Sequence, residues 1–316
     1  MTSPTISLII PVHNAVPTLD ACVRSILSQS YPHFECILVE NGSSDESEAL
    51  CRQYCTEDSR IRLVVSETAG ASTARNLGLS VASGDIIGFC DADDLLEPNA
   101  LAVVAATFAE HPDSIGVFGA FYAGIETPTG LEKRYRGLPA RRLSVEEAIG
   151  LTIGHDNVMG SVWNKYYRTE AVDGVLFDPS LSHSEDTHFN ITLLSRVGDG
   201  TVMLISEPLY CYVQYAQSVT HQYHRLFDEN DELKYNVALR KILQNEALGW
   251  RLRSLVKMRM AILAVDHLPL EISRAQRAKL KKTFLRNLPY FLRHITRYHF
   301  KKNAKRLVKA VFLMFK

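Results

Sequence analysis

Several common signals are missing from this sequence, and each missing signal argues against a class of protein. No stretch reaches the roughly 18 consecutive apolar residues of a membrane-spanning helix. No basic flank of a signal peptide precedes the first apolar stretch, residues 6–12. Neither Gly-x-Gly-x-x-Gly nor Gly-x-x-x-x-Gly-Lys follows that stretch, which argues against a dinucleotide dehydrogenase and a P-loop enzyme. The six cysteines show no paired spacing, so we expect buried, reduced thiols and a cytoplasmic chain.

The chain has no net formal charge, but its charges are unevenly distributed. Residues 251–316 contain 18 of the 35 Lys/Arg and 2 of the 35 Asp/Glu, so an acidic front precedes a basic tail. A helix near the end of this tail would be basic on one side and apolar on the other. The basic side would consist of Lys301, Lys302, Lys305, Arg306 and Lys309.

This basic amphipathic pattern has more than one interpretation. It is typical of a helix on an anionic membrane, and it predicts peripheral association with the inner face of the cytoplasmic membrane. A helix packed on the acidic front of the same chain would show the same pattern. No base-stacking or groove-reading motif is present, so we predict no nucleic-acid partner. Residues 225–316 are therefore predicted to be a basic helical C-terminal extension.

Strand and helix patterns alternate four times near the start of the chain. The predicted strands cover residues 6–12, 35–40, 61–65 and 86–90, and each is an apolar run followed by polar residues. Such alternation is typical of a parallel sheet with helices on both faces. Because open α/β sheets bind ligands beyond the carboxyl ends of their strands, a nucleotide is the default ligand.

Three carboxylates, Asp91, Asp93 and Asp94, follow the last of these strands. Like charges so close together repel, and a divalent cation would neutralise them. Carboxylate oxygens suit Mg²⁺ or Mn²⁺. A calcium loop is an alternative, but it would need glycine and glutamate where the chain has Leu96 and Ala102. Asp94 could instead cap a helix beginning near residue 97, which would leave Asp91 and Asp93 unexplained.

Five stretches carry a resemblance to a known family: residues 7–14, 28–32, 39–45, 74–78 and 89–94. Their residues, and the order in which the stretches occur, resemble the motifs of family 2 glycosyltransferases. The resemblance covers about residues 5–220. The resemblance implies an α/β GT-A fold with a Rossmann-like mixed sheet in a catalytic domain, residues 1–224. The nucleotide-binding half would be about residues 1–100 and the acceptor half about residues 101–224. It also implies an inverting hexosyl- or N-acetylhexosaminyltransferase.

The resemblance further implies a metal site for Mn²⁺ or Mg²⁺ at Asp91-Ala92-Asp93. Asp93 would be the direct ligand, and Asp91 would lie nearer the ribose or the donor sugar. A metal that bridges the diphosphate would stabilise the charge that develops on the leaving group. A histidine after the tyrosine-rich segment sometimes completes such a site, so His221 is a further candidate ligand. A loop histidine without a ligand is the alternative.

The resemblance also predicts the residues that bind the donor: Pro11, Val12, His13, Asn14, Glu40, Asn41, Ser43, Arg75, Asp91 and Ala92. The family usually has aspartate where this chain has Asn41, and that aspartate commonly accepts a hydrogen bond from uracil N3–H. Asparagine can accept or donate, so Asn41 tolerates uracil or thymine but also permits cytosine; we predict UDP. His13 could pack beside the base or face solvent. Arg75 could bind the diphosphate or the sugar, or pair with a surface carboxylate.

On the acceptor side, the resemblance implies that Asp186 is the general base, with Glu185 as the second candidate. Inversion needs a carboxylate beside the acceptor hydroxyl, on the face opposite the leaving group. The alternative is that both acids cap the helix predicted over residues 187–196. Residues 127–142, rich in Gly, Pro and Arg, are predicted to be a loop over the active site.

The predicted function is metal-dependent, inverting transfer of a sugar from a nucleotide-diphosphate sugar to a hydroxyl group. The acceptor would be a glycan or a lipid-linked glycan in polysaccharide biosynthesis. A nucleotidyltransferase that uses a nucleoside triphosphate is one alternative. A non-catalytic glycan-binding relative, which would bind sugar without a metal, is another.

Overall fold

The computed structural model describes residues 3–127, 130–154, 160–214, 226–246, 248–268 and 272–294, and Lys305. The elements in chain order are β1 (Ile6–Val12), α1 (Val16–Leu27), β2 (Phe34–Glu40), α2 (Ser47–Glu57), β3 (Ile61–Val65), α3 (Ala71–Val81), β4 (Ile86–Phe89), β5 (Leu95–Leu96), α4 (Ala100–Glu110), β6 (Ser114–Thr127), β7 (Gly130–Arg136), β8 (Arg141–Ser144), α5 (Val145–Gly154), β9 (Lys165–Arg168), α6 (Thr169–Val172), α7 (Glu185–Val197), β10 (Thr201–Gln214), α8 (Lys234–Gln244), α9 (Trp250–His267) and α10 (Arg274–His294). Within these ranges, every helix is too short or too polar to traverse a bilayer.

The described strands form one mixed sheet. Its order is β3-β2-β1-β4-β9-β6-β10-β5, with β7 paired to β6 and β8 paired to β10. The first four strands of this order are parallel, as the alternating pattern predicts. Strand β9 lies antiparallel between β4 and β6 and joins the two parts of the sheet. The α/β prediction with a mixed sheet is confirmed.

Strands β1, β2 and β4 are buried on both faces of the sheet, which explains their apolar runs. Along β1, Leu8 and Ile10 pack into one hydrophobic cluster, while Ile9 packs into the other. Side chains of α8, α9 and α10 belong to the same cluster as Ile9. The described part of the predicted C-terminal extension is therefore helical and shares a core with the sheet. The boundary predicted at residue 224 and the amphipathic helix predicted near residues 300–315 lie outside the described residues, apart from Lys305.

The prediction of a loop over residues 127–142 is wrong. Strand β7 pairs with β6 along its whole length, from Arg136 opposite Phe121 to Gly130 opposite Thr127. Gly130 has φ 127, a conformation that favours glycine, where the hairpin turns. Almost all of β7 is exposed, so it has no apolar alternation that would mark it as a strand. Its strand conformation depends on backbone pairing with the long apolar β6.

Candidate active site

Three loops meet at one edge of the sheet because β1, β2 and β4 are parallel neighbours. Val12 lies opposite Glu40, and Ile9 lies opposite Phe89. The residues that follow these strands, 13–14, 41–43 and 90–94, therefore share this edge. The predicted donor and metal residues come from these loops, as expected for an open α/β sheet.

The carboxylate cluster lies in the loop after β4. Asp91, Asp93 and Asp94 each place one carboxylate oxygen within 4.8 Å of the other two. Asp93 is exposed, yet the loss of bulk water around its carboxyl group and the charge of Asp91 raise its pKa to about 6. A divalent cation would relieve this repulsion, and carboxylate oxygens are hard donors that fit Mn²⁺ or Mg²⁺.

Asp94 has a different role from its neighbours. Its carboxylate is buried and accepts hydrogen bonds from the Tyr210 hydroxyl at 2.8 Å and from the Val213 N–H at 2.7 Å. Asp94 thus ties the loop to β10. The alternative that Asp94 caps a helix is wrong, because α4 begins at Ala100 and the preceding Asn99 makes no side-chain cap. Asp91 and Asp93 remain as the candidate metal-ligand pair.

Tyr210 is a site residue whose role the sequence did not predict. Its hydroxyl donates to Asp94 and accepts the Asp91 N–H at 3.0 Å, so it holds both ends of the acidic loop. Trp163 stacks on the Tyr210 ring at a centroid distance of 4.5 Å. The sequence signal for this role is the tyrosine-rich segment of residues 210–215, and it does not indicate which of its tyrosines contacts the acidic loop.

Arg75 of α3 joins the metal motif to the predicted general base. Its buried guanidinium lies 2.9 Å from Asp91, 3.3 Å from Glu185 and 3.1 Å from Asp186. Burial alone would lower the pKa of Arg75, but the three carboxylates outweigh it and raise that pKa above its ordinary value. Arg75 therefore pairs with carboxylates inside the site, and the surface pairing considered from the sequence is not observed.

Asp186 lies in the first turn of α7, directly after Glu185. Its Oδ2 accepts the Val162 N–H at 3.2 Å. Its Oδ1 is buried and accepts no hydrogen bond, because the contact with Arg75 lacks hydrogen-bond geometry. Burial raises the pKa of Asp186 to about 7, although the charge of Arg75 opposes the rise. A carboxylate with this pKa can exchange a proton near neutral pH.

Contacts from α3 hold the segment before α7 against the site. The side chain of Asn76 accepts the Phe177 N–H at 2.8 Å and donates to the Phe177 carbonyl at 2.9 Å. Phe177 stacks on Phe189 of α7 at a centroid distance of 4.0 Å. Since Asn76 follows Arg75, one turn of α3 sets the position of both the arginine and the carboxylates that it contacts.

Loss of the Arg75 charge is expected to destabilise the protein. In Arg75→Met, three carboxylates would face one another without a buried cation, and the free energy of unfolding should fall by about 3 kcal/mol. Urea denaturation would measure the change. Arg24→Met, which removes an exposed arginine paired with Asp20, is the matched control and should change the free energy of unfolding much less, because water and salt screen an exposed ion pair. Equal losses in the two variants would show that Arg75 does not neutralise the site.

The loop after β2 is held by Glu40, a predicted donor-binding residue. The carboxylate of Glu40 accepts the N–H groups of Ser43 at 2.5 Å and Gly42 at 3.2 Å. Burial would raise the pKa of Glu40, but these hydrogen bonds and the Ser43 hydroxyl lower it. Asn14, with φ 49, accepts the Ser44 N–H at 2.8 Å and joins the first loop to the second. Glu40 and Asn14 therefore shape the edge where the donor residues lie.

Asn41 is buried at the centre of this edge. Its side-chain oxygen accepts the Gly70 N–H at 3.1 Å, and its backbone carbonyl lies 3.1 Å from His13 Nδ1. Its backbone N–H donates to the carbonyl of Val12. Since the side-chain oxygen already accepts one hydrogen bond, the amide nitrogen is the group that remains to donate to a base. Pro11 and Ala92 flank the same edge, and His221 lies outside the described residues.

Comparisons with known proteins are consistent with this site. A family model described as glycosyl transferase family 2 matches residues 7–175. The uncharacterized glycosyltransferase EpsJ of Bacillus subtilis is 27% identical over 242 residues, which cover 75% of this chain and 69% of EpsJ.

Two solved proteins share the fold. S. aureus TarS, residues 1–349, has a TM-score of 0.66 and 18% identity, with 98% of this chain and 88% of that chain covered. The same fragment in complex with UDP has a TM-score of 0.64. The mannosyltransferase PcManGT from Pyrobaculum calidifontis, in complex with GDP-Man and Mn²⁺, has a TM-score of 0.53 and 18% identity, with coverage of 99% and 87%.

Proposed function

The chain belongs to glycosyltransferase family 2, and from this premise we propose a metal-dependent, inverting transfer of a sugar from a UDP-sugar to an acceptor hydroxyl. The family, the GT-A fold and the enzyme class predicted from the sequence are confirmed. The observation that supports the specific reaction is the Arg75 guanidinium, which contacts Asp91 of the metal motif and Asp186 of the predicted base. The two groups required for inverting transfer thus share one site.

Asp91 and Asp93 are the residues that would hold the metal. Bound there, Mn²⁺ or Mg²⁺ would supply a Lewis acid that neutralises the departing diphosphate. Arg75 orients the Asp91 carboxylate by its hydrogen bond of 2.9 Å. Tyr210, through the Asp91 N–H and the Asp94 carboxylate, prevents the loop from moving away from β10.

Asp186 would accept the proton of the acceptor hydroxyl as the sugar is transferred. The reaction breaks the bond between the anomeric carbon and the diphosphate oxygen, and it forms a bond to the acceptor oxygen on the opposite face. The Asp186 carboxylate would take the proton, and Arg75 would stabilise the carboxylate before the reaction. The first turn of α7 is a rigid position for such a base, because the Val162 N–H donates to Asp186 Oδ2 and fixes the carboxylate.

The donor base is proposed from Asn41, His13 and the complexes of related folds. TarS structures contain UDP and UDP-GlcNAc, whereas PcManGT contains GDP-Man. We favour uracil on the basis of the family resemblance and the two TarS complexes. The Asn41 amide would donate to a uracil carbonyl oxygen, while its own oxygen accepts from Gly70. This differs from the family's usual acceptor contact with N3–H.

The acceptor is proposed to be a glycan or a lipid-linked glycan at the cytoplasmic face of a membrane. Residues 251–316 contain 18 Lys/Arg against 2 Asp/Glu, a composition that favours an anionic membrane surface. Transfer to a lipid-linked acceptor would place the reaction in polysaccharide biosynthesis.

A thermal-shift experiment tests the proposed donor. UDP with Mn²⁺, at a hundredfold excess over Kd, should stabilise the protein by about 2.7 kcal/mol and raise Tm by about 5 °C. GDP and CDP should give smaller shifts, and removal of Mn²⁺ should reduce the UDP shift. If a nucleoside triphosphate raises Tm more than every nucleotide sugar does, the result would instead favour a nucleotidyltransferase. Sugar binding that does not respond to Mn²⁺ would favour a non-catalytic relative.

A further inference from the structure

The exposed side of α10 and the start of α9 form one surface that the catalytic site does not use. We define the α10 surface by six residues: Trp250, Lys282, Leu285, Arg286, Leu292 and Arg293. The three apolar members are exposed to 62% (Trp250), 54% (Leu285) and 47% (Leu292). Arg293 of α10 lies over the Trp250 ring at 5.2 Å from its centroid, so the two helices contribute to the same surface.

Helical spacing explains why these residues share one side of α10. Leu285 and Leu292 are seven residues apart, as are Arg286 and Arg293, and residues at this spacing lie on one face of a helix. Lys282, Leu285, Arg286, Leu292 and Arg293 are all exposed. The opposite face carries Leu280, Phe284 and Phe291, which are fully buried in the core shared with α9. The outer leucines are therefore not needed to hold α10 in place.

The charges on α10 have one sign. Helix α10 contains seven Lys/Arg and no Asp/Glu in its 21 residues. The sequence that follows it, residues 295–316, adds seven Lys/Arg and again no Asp/Glu. A second guanidinium, from Arg251, lies 5.6 Å from the Trp250 centroid. The surface is thus complementary to a partner that is both anionic and able to receive apolar side chains.

An anionic bilayer meets both requirements at once. Its headgroups attract Lys and Arg, and its interfacial region accepts leucine and the amphipathic ring of tryptophan. A dissolved polyanion would satisfy the cations but would leave Leu285 and Leu292 in water. A cavity of about 410 Å³ beside Trp250 is lined in part by the acidic Glu146, which would repel anionic headgroups. The bilayer would therefore contact the outer side of α10 and not the cavity.

We propose that the α10 surface docks the enzyme on anionic lipid headgroups, with Trp250, Leu285 and Leu292 inserted into the bilayer interface. This inference rests on the membrane location in the proposed function, but not on the transfer chemistry. It assigns the docking to described residues of the folded protein, in addition to the basic tail.

Sedimentation of the full chain with vesicles tests the proposal. The protein should bind vesicles made of equal amounts of phosphatidylcholine and phosphatidylglycerol, and it should not bind phosphatidylcholine alone. Leu285→Ser/Leu292→Ser should weaken binding by about tenfold or more. The matched control, Val65→Ser/Leu176→Ser, removes two exposed apolar side chains elsewhere and should bind as the native protein does.

A second pair of variants separates local charge from total charge. Lys282→Glu/Arg286→Glu should lose vesicle binding, whereas Arg24→Glu/Arg52→Glu, with the same change in net charge, should retain it. If the serine variant binds as tightly as the native chain while the glutamate variant does not, the surface recognises anions in general and lipid insertion is refuted. Unchanged binding in both would also overturn the proposal.

The UDP-induced thermal shift distinguishes this proposal from the proposed function. Variants that lose vesicle binding should keep the full UDP shift, because they lie outside the donor edge. If UDP fails to shift the native protein while vesicle binding follows the expected pattern, the donor assignment fails and the docking surface stands.

Discussion

Asp186→Asn is expected to lower the rate of sugar transfer by about 10³-fold and to leave the donor affinity nearly unchanged. The asparagine side chain has the same shape and can still accept the Val162 N–H, but it cannot take a proton from the acceptor hydroxyl. General-base catalysis commonly contributes about 10²- to 10⁴-fold. Transfer rates at saturating donor would measure the first effect, and UDP binding by calorimetry would measure the second.

The pH dependence provides a check on the same assignment. Burial raises the pKa of Asp186 to about 7, so the fraction in the basic form falls tenfold for each pH unit below that value. The native rate should fall in the same way as the pH decreases below 7, and Asp186→Asn should lose this dependence. Glu185→Gln is the matched control and should keep it. Equal losses of transfer and donor binding in Asp186→Asn would show a structural role.

Asp93→Ala is expected to abolish metal-dependent transfer, with a loss of at least about 10³-fold. Asp93 is an exposed residue, but the loss of bulk water around its carboxyl group and repulsion by Asp91 raise its pKa to about 6. Removal of this group should therefore not destabilise the fold, but it leaves Asp91 as the only carboxylate of the pair. The Mn²⁺-dependent part of the UDP thermal shift should disappear in this variant.

Two controls make the Asp93 result specific. Asp113→Ala removes an exposed carboxylate that pairs with Arg142, and it should retain both transfer and the Mn²⁺ effect. Asp94→Ala should instead lower the free energy of unfolding, because the Tyr210 hydroxyl and the Val213 N–H would lose their buried acceptor. Full Mn²⁺-dependent transfer in Asp93→Ala would exclude Asp93 as a ligand.

The beginning of the fold was predictable because its signals are local. Strands β1 and β2 are mostly apolar, with most of the apolar residues of β2 lying between Glu35 and Glu40, and the structure buries both strands on both faces. The buried residues of α1, Leu19, Cys22, Val23 and Ile26, recur at helical spacing. Strand β7 was not predictable in this way. Its residues are exposed on the edge of β6, so its structure depends on a partner and not on its own pattern.

The sequence by itself determined the family, the order of strands and helices at the donor edge, and the residue types available for metal and proton transfer. Only the tertiary structure decided how those residues are used. Asp94 became a structural acceptor because Tyr210, 116 residues away, reaches it from β10. Arg75 became the link between Asp91 and Asp186 because the first turn of α7, 111 residues farther along the chain, lies within reach of its side chain. Such contacts depend on the packing of elements that are distant in the sequence. A buried charge must be paired, and the tertiary structure decides which residues lie near enough to pair with it.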